Sequence, residues 1–255
     1  MNISGPKAIS RSERLQTCRE IAKRLHEVYG SKIQAIGVYG SVAKGTDGCF
    51  SDIEMFCVLH DSGQTVEYCY EWSAGPWRAE VDVYSANILL KNAATVKGRW
   101  PLTHGAYFST LSLYDPDGFF HDLRTAVESP AQSDFNRAIN EVLINEYEFM
   151  GKLRNLRPNG PYSYLPYLAM QIAHYGAMLV GLHNQSLFST GAKVLPEALA
   201  LPNRPHGFDT VAELVMSGEL AEHSKTMTAC GDFWDGIVDW ADEHHYTIDG
   251  ERMPF

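Results

Sequence analysis

Residues 36–54, IGVYGSVAKGTDGCFSDIE, limit what this chain can fold into more than any other stretch. The apolar run 35–39 has the length of one buried strand. Gly40-Ser41 breaks it, a polar loop with glycines covers 44–51, and a second strand is expected over 52–59. Strand period is two, so Asp52 and Glu54 project from one face. Side by side they repel, at a cost in stability unless a cation sits between them. A divalent ion that prefers hard oxygen ligands, Mg²⁺ above all, answers that charge. The same residues also allow a plain β-hairpin with a polar loop and two surface acids.

Around this centre the pattern alternates strands and helices. Ser10 with Glu13 forms a capping box, and Leu15, Cys18, Ile21, Leu25 and Val28 follow at helical spacing until Gly30. Strands are expected over 33–39, 52–59 and 65–72, followed by a turn at Ser73-Ala74-Gly75-Pro76. In the next strand, 77–84, Trp77, Ala79, Val81 and Val83 take one face and Arg78, Glu80, Asp82 and Tyr84 the other. Glu80 and Asp82 are the candidates for a third metal carboxylate, with Asp82 read as a charge on a solvated face. Residues 88–96 read as helix, 99–105 as a proline-containing loop, 107–114 as an edge strand, and Asp115-Pro116-Asp117-Gly118 as a turn. From 131 the texture is helical, over 131–156, 165–183, 208–216 and 223–244, the first stopping at Arg157-Pro158-Asn159-Gly160. The expected architecture is therefore an α/β domain over 1–130, a mixed sheet with helices, followed by an α-helical bundle over 131–255.

Composition narrows the function classes. A formal net charge of −10 speaks against a nucleic-acid substrate, because tracking phosphates needs a basic surface. The 5 cysteines have no CxxC spacing, which predicts free thiols in a reducing cytoplasm. The N-terminus lacks a signal-peptide h-region, and the most apolar stretch, 165–182, carries Pro166, Gln171 and His174, which fits a buried or interface helix and no membrane span.

A Gly-Ser turn, ten residues, then Asp-x-Glu at a strand start resembles the signature of the polymerase β-type nucleotidyltransferases. Further stretches are similar to the aminoglycoside 4′-O-nucleotidyltransferases of the kanamycin nucleotidyltransferase type: TDG (46–48), EW (71–72), EV (80–81), WPLTHG (100–105), GKLRN (151–155), GAML and GLH (176–183), MSG (216–218) and the final Pro254-Phe255. The likeness runs along nearly the whole chain.

The resemblance implies transfer of a nucleoside monophosphate from an NTP such as ATP to the 4′-hydroxyl of an aminoglycoside of the kanamycin, tobramycin or amikacin type. It implies that Asp52, Glu54 and Glu80 hold Mg²⁺, and that Gly40, Ser41, Lys44, Ser51 and Lys152 hold the nucleotide. Glu148 stands at the general base, and Glu71, Glu80 and Glu148 face the substrate amines. It implies a homodimer with the active site near the subunit interface. The family's arginine after the Gly-Ser turn is Lys44 here, which keeps the charge and loses the planar fork. Glu141 and Glu146 stand out of register with the family's acids.

Other readings of the same residues stay open. Glu148 and Lys152 have the spacing of an i,i+4 salt bridge on a solvated helix. His104 is as much a structural loop residue as a ligand, and Trp72, Trp77 and Trp100 serve as anchors by default. At the level of function, the alternatives are a nucleotidyltransferase acting on a protein hydroxyl, as in toxin–antitoxin systems, and a nucleotide-binding module without catalysis.

Overall fold

A computed structural model describes residues 5–72, 78–156 and 160–248. The turn expected at 73–76, Trp77, the helix stop at 157–159 and the terminal Pro254-Phe255 lie outside the described residues. In chain order the elements are α1 (Arg11–Tyr29), β1 (Ile33–Val38), α2 (Gly40–Lys44), β2 (Ile53–Leu59), β3 (Glu67–Trp72), β4 (Ala79–Ser85), α3 (Ala86–Ala93), α4 (Trp100–Thr103), α5 (Gly105–Phe108), β5 (Leu111–Tyr114), α6 (Phe119–Glu128), α7 (Gln132–Leu156), α8 (Leu165–His183), α9 (Val194–Ala200), α10 (Phe208–Ser217) and α11 (His223–Glu243). They fall into two compact units, 1–95 with 104–130, and 96–103 with 131–255. The first is mixed α/β and the second helical, the fold class the sequence predicts.

In the first unit the described strands form one sheet in the order β3-β4-β2-β1-β5. β2 and β4 run parallel, while β1 pairs antiparallel with β2 and β5, and β3 antiparallel with β4. Alternation sorts the side chains. Ile53, Met55, Cys57, Ala79, Val81, Val83, Ile36 and Val38 meet Cys18, Ile21, Ala22 and Leu25 of α1 in one buried cluster. Full burial of a side chain of this size stabilises by about 1.5–3 kcal/mol, so this face fixes the register of the strands and with it the positions of the acids opposite. α1 begins as expected, with Ser10 and Glu13 in a reciprocal capping box.

Several local expectations give way to helix. The segment after Gly40 turns into α2 at once, and 99–108 folds into the short α4 and α5 where a loop and the start of a strand were expected, leaving β5 only Leu111–Tyr114. Pro101 fits because it lies in the first turn of α4, where no intrahelical N–H is needed. α6 has no counterpart in the sequence reading. Its start was visible in Asp115, whose carboxylate accepts from the Phe119 and Phe120 amides at 2.7 and 3.2 Å.

In the second unit α7 and α8 pack along each other, with α9, α10 and α11 also against α8. α7 carries an anomaly on its apolar stripe. Glu146, spaced four residues from both Val142 and Met150, is 2% exposed. Its Oε1 has no hydrogen-bond partner among the described residues. Burial holds its carboxyl well above the ordinary carboxylate range. The folded chain therefore binds this proton more tightly than the unfolded chain. The contribution of this group to stability is greatest in acid and falls as pH rises past the ordinary carboxylate pKa towards the folded value. Glu146→Leu fills the same space without the polar cost and is expected to stabilise by about 2 kcal/mol at neutral pH, the usual penalty of an unsatisfied buried group. Urea midpoints at pH 5 and pH 8 check this. The gain should be larger at pH 8, and a destabilised leucine variant would contradict it.

Candidate active site

The pairing register assembles the acids. Glu54 of β2 lies opposite Glu80 of β4, and Glu80 lies opposite Glu71 of β3. Three glutamates on three adjacent strands thus form a row across one end of the sheet. Asp52 precedes β2 at the same end. Cross-strand partners have Cβ atoms about 5 Å apart, close enough for like charges to destabilise one another. Glu54 shows the strain: burial first, then the charges of Asp52 and Glu80, push its carboxyl up to about 7.

The Gly-Ser turn meets this row directly. The amide of Tyr39 donates to the Glu54 carbonyl at 2.9 Å, which places Gly40 beside the Glu54 side chain. Gly40 has φ +69°, and a Cβ there would come 1.8 Å from Glu54 Oε2. Gly40→Ala therefore has two penalties: the left-handed backbone, about 1–2 kcal/mol for an L-residue, and eviction of the Glu54 carboxyl. We expect lower thermal stability and at least a tenfold loss of turnover. An alanine variant with normal kinetics would show that Glu54 has no fixed place in the site.

Two residues on this face received no role from sequence. Arg78 bridges the acids: its guanidinium is 3.0 Å from Asp52 Oδ2, 2.9 Å from Glu80 Oε2 and 2.9 Å from Glu71 Oε1. The alternation in WRAEVDVY put it on the face of Glu80, and that was the available signal. Tyr39 Oη lies 2.7 Å from Glu80 Oε1 and 2.8 Å from Asp82 Oδ2, so one proton is shared between two carboxylates. Asp82 is accordingly half-buried and held in place, unlike the solvated charge expected of it. Tyr39 stacks on Phe56, which stacks on Tyr107, and these rings wall the row on the side away from the strand ends.

The loop between the motif's halves is fixed from behind. Arg14 of α1 is fully buried, and its guanidinium donates to the Ser51 carbonyl at 3.0 Å, the Cys49 carbonyl at 3.2 Å and Asp47 Oδ2 at 2.5 Å. Arg11 also pairs with Asp47. Ser51 Oγ accepts from the Gly48 amide at 3.0 Å, which ties its hydroxyl to the shape of the loop. Ser41 and Lys44 lie on α2, both half-buried, directly after Gly40.

The donor set is carboxylate oxygen throughout, which suits a hard divalent cation, and the repulsion raising Glu54 is what such a cation relieves. As they stand, no three His, Cys, Asp or Glu among the described residues are grouped to hold a metal ion; Arg78 lies among the acids instead. The residues fit the ion in chemistry, with Arg78 as the group that must give way.

The remaining candidates belong to the second unit or to the structural frame. Glu148 and Lys152 lie on α7 with Oε1 and Nζ 2.7 Å apart, Glu148 largely exposed and Lys152 half-exposed. The hydrogen bond from Lys152 to Glu148 raises the lysine pKa. His104 is 6% exposed, with Nε2 3.2 Å from the Asn92 carbonyl, the arrangement of a structural loop residue. The structure thus brings Asp52, Glu54, Glu71 and Glu80 together in the first unit and Glu148 with Lys152 in the second.

A solved structure of a nucleotidyltransferase-like protein from Exiguobacterium sibiricum matches with a TM-score of 0.51 at 12% identity, over 88% of this chain and 74% of its own, which speaks to the fold. Residues 117–247 match the family model described as the KNTase C-terminal domain. Two curated relatives, from Staphylococcus aureus and a Bacillus species, carry the name aminoglycoside nucleotidyltransferase (4′). Each is 41% identical over 255 residues, 99% of this chain and 100% of the relative. Similarity of that extent, over nearly the full length of the chain, shows that it belongs to the aminoglycoside nucleotidyltransferase (4′) family.

Proposed function

We propose that this enzyme transfers a nucleoside monophosphate from an NTP, ATP in the first instance, to the 4′-hydroxyl of an aminoglycoside and releases pyrophosphate. The observation that carries this reading is the row Glu71, Glu80, Glu54 with Asp52 at one sheet end, in a chain whose full-length relatives are named for that reaction. Residues 1–130 act as the catalytic domain and 131–255 as its helical companion. Asp52, Glu54 and Glu80 hold Mg²⁺, which when bound supplies Lewis-acid neutralisation of phosphate charge. Gly40, Ser41, Lys44, Ser51 and Lys152 orient the nucleotide, through backbone amides of the turn and two ammonium groups. Glu148 accepts the proton of the attacking hydroxyl, a general-base contribution of about 10²–10⁴-fold. Glu71 attracts the ammonium groups of the drug, as do Glu80 and Glu148.

The enzyme works as a cytoplasmic homodimer on small molecules, without nucleic acid or membrane. The net charge of −10 favours small-molecule substrates over nucleic acid, the 5 free cysteines fit a reducing compartment, and the homodimer is what the family resemblance implies. Pyrophosphate release with ATP and Mg²⁺ is the test. It should require an aminoglycoside. Release on a protein acceptor instead, or none with any drug, would favour the protein-modifying or the non-catalytic reading.

A further inference from the structure

Arg78 is the feature that the proposed reaction leaves unexplained. A site for a divalent cation and a polycationic substrate has no evident need of a fixed positive charge at its centre, yet the guanidinium contacts three of its carboxylates at 2.9–3.0 Å. The three come from three places: Asp52 ahead of β2, Glu71 on β3 and Glu80 on β4. Guanidinium suits this bridging, with five N–H donors in a rigid fork. Without it the cross-strand pair Glu71 and Glu80 would face each other with no ion-pair partner among the described residues. The Arg78 side chain is 41% exposed, so it can leave without unpacking the core.

We infer that Arg78 is the enzyme's built-in counter-cation: it holds the carboxylates in place before substrates arrive and competes with the divalent ion for Asp52 and Glu80 and with substrate amines for Glu71 and Glu80. This rests on the reading that these carboxylates take the metal. Its consequence is suppressed metal binding to the substrate-free enzyme. A competitor that occupies the acids nine-tenths of the time weakens the apparent affinity for the ion about tenfold. The same contacts keep the acid row from splaying apart, so the arginine exchanges some metal affinity for a preformed site.

The experiment is a titration of full-length, nucleotide-free enzyme with Mn²⁺, read by electron paramagnetic resonance of the free ion, on wild type, Arg78→Gln, Arg78→Lys and Asp52→Asn. Arg78→Gln should bind Mn²⁺ about tenfold more tightly than wild type. Arg78→Lys, with one compact charge that cannot bridge three acids, should be intermediate. Mn²⁺ should raise the melting temperature of Arg78→Gln more than that of wild type. Asp52→Asn should bind weakly. Equal Mn²⁺ affinity in wild type and both Arg78 variants, with Asp52→Asn weakened, overturns the counter-cation and leaves the metal assignment standing. Unchanged affinity in Asp52→Asn overturns the metal assignment and the counter-cation with it. If Arg78→Gln does not fold, Arg78→Lys decides by the same criterion.

Discussion

Asp52→Asn is expected to lower turnover about 10³-fold while leaving the folded structure intact, a loss of roughly 4 kcal/mol of transition-state stabilisation. Asparagine keeps the size of the side chain and removes the charge that, on the proposed reading, holds the cation. Stability should change little. Asp52 is 37% exposed, its described ion pair is with the half-exposed Arg78, and such pairs contribute little. Removing the charge also eases the repulsion that raises Glu54. kcat and kcat/KM should fall together, the pattern of an interaction made in the transition state. Turnover near that of wild type would end the role assigned to Asp52.

Arg14→Met is expected to cost about 3–5 kcal/mol, the usual consequence of removing one partner from a buried ion pair. The side chain of Asp47 is 1% exposed and would keep Arg11 as its one ion-pair partner among the described residues. For a chain of this length the melting temperature should drop by roughly 10 °C. Turnover should fall as well, because the same guanidinium holds the carbonyls of Cys49 and Ser51 immediately before Asp52. The double variant Arg14→Met, Asp47→Leu separates the two effects. Replacing both charges by apolar groups should recover much of the stability, while the loop remains without its anchors and turnover stays low. Thermal unfolding and steady-state kinetics on the single and double variants decide the matter. A stable Arg14→Met with normal kinetics would show that the loop holds its own shape.

The shared face of the acids was legible because strand period and spacing are local properties. Asp52 and Glu54 share a face by alternation alone, and Ala79, Val81 and Val83 identify the buried face of β4 in the same way. The Glu71–Glu80–Glu54 row was not legible from periodicity, because it depends on which strands lie side by side and in what register. The bridge made by Arg78 depends on the same pairing, although its face was predicted. Arg14 and Glu146 were missed for a different reason. Each occupies an apolar stripe position, four residues before Cys18 in one case and between Val142 and Met150 in the other. A charge at such a position reads as an interruption until its partners are known. For Arg14 the partners are carbonyls more than 30 residues away. For Glu146 Oε1 the described residues offer none. The short helices α2, α4 and α5 escaped because four or five residues are too few to show a helical period.

On the proposed reading, the acid row at the sheet end supports transfer of a nucleoside monophosphate to one sugar hydroxyl. The most direct test is to isolate the product formed from ATP, Mg²⁺ and kanamycin, then determine its mass and the attachment position by nuclear magnetic resonance. A single adduct one adenylate heavier is expected, joined at the 4′-oxygen, absent with Asp52→Asn, and not formed from bound drugs that lack a 4′-hydroxyl. An adduct at another position would contradict the regiochemistry, and an adduct formed equally well by Asp52→Asn would contradict the site itself.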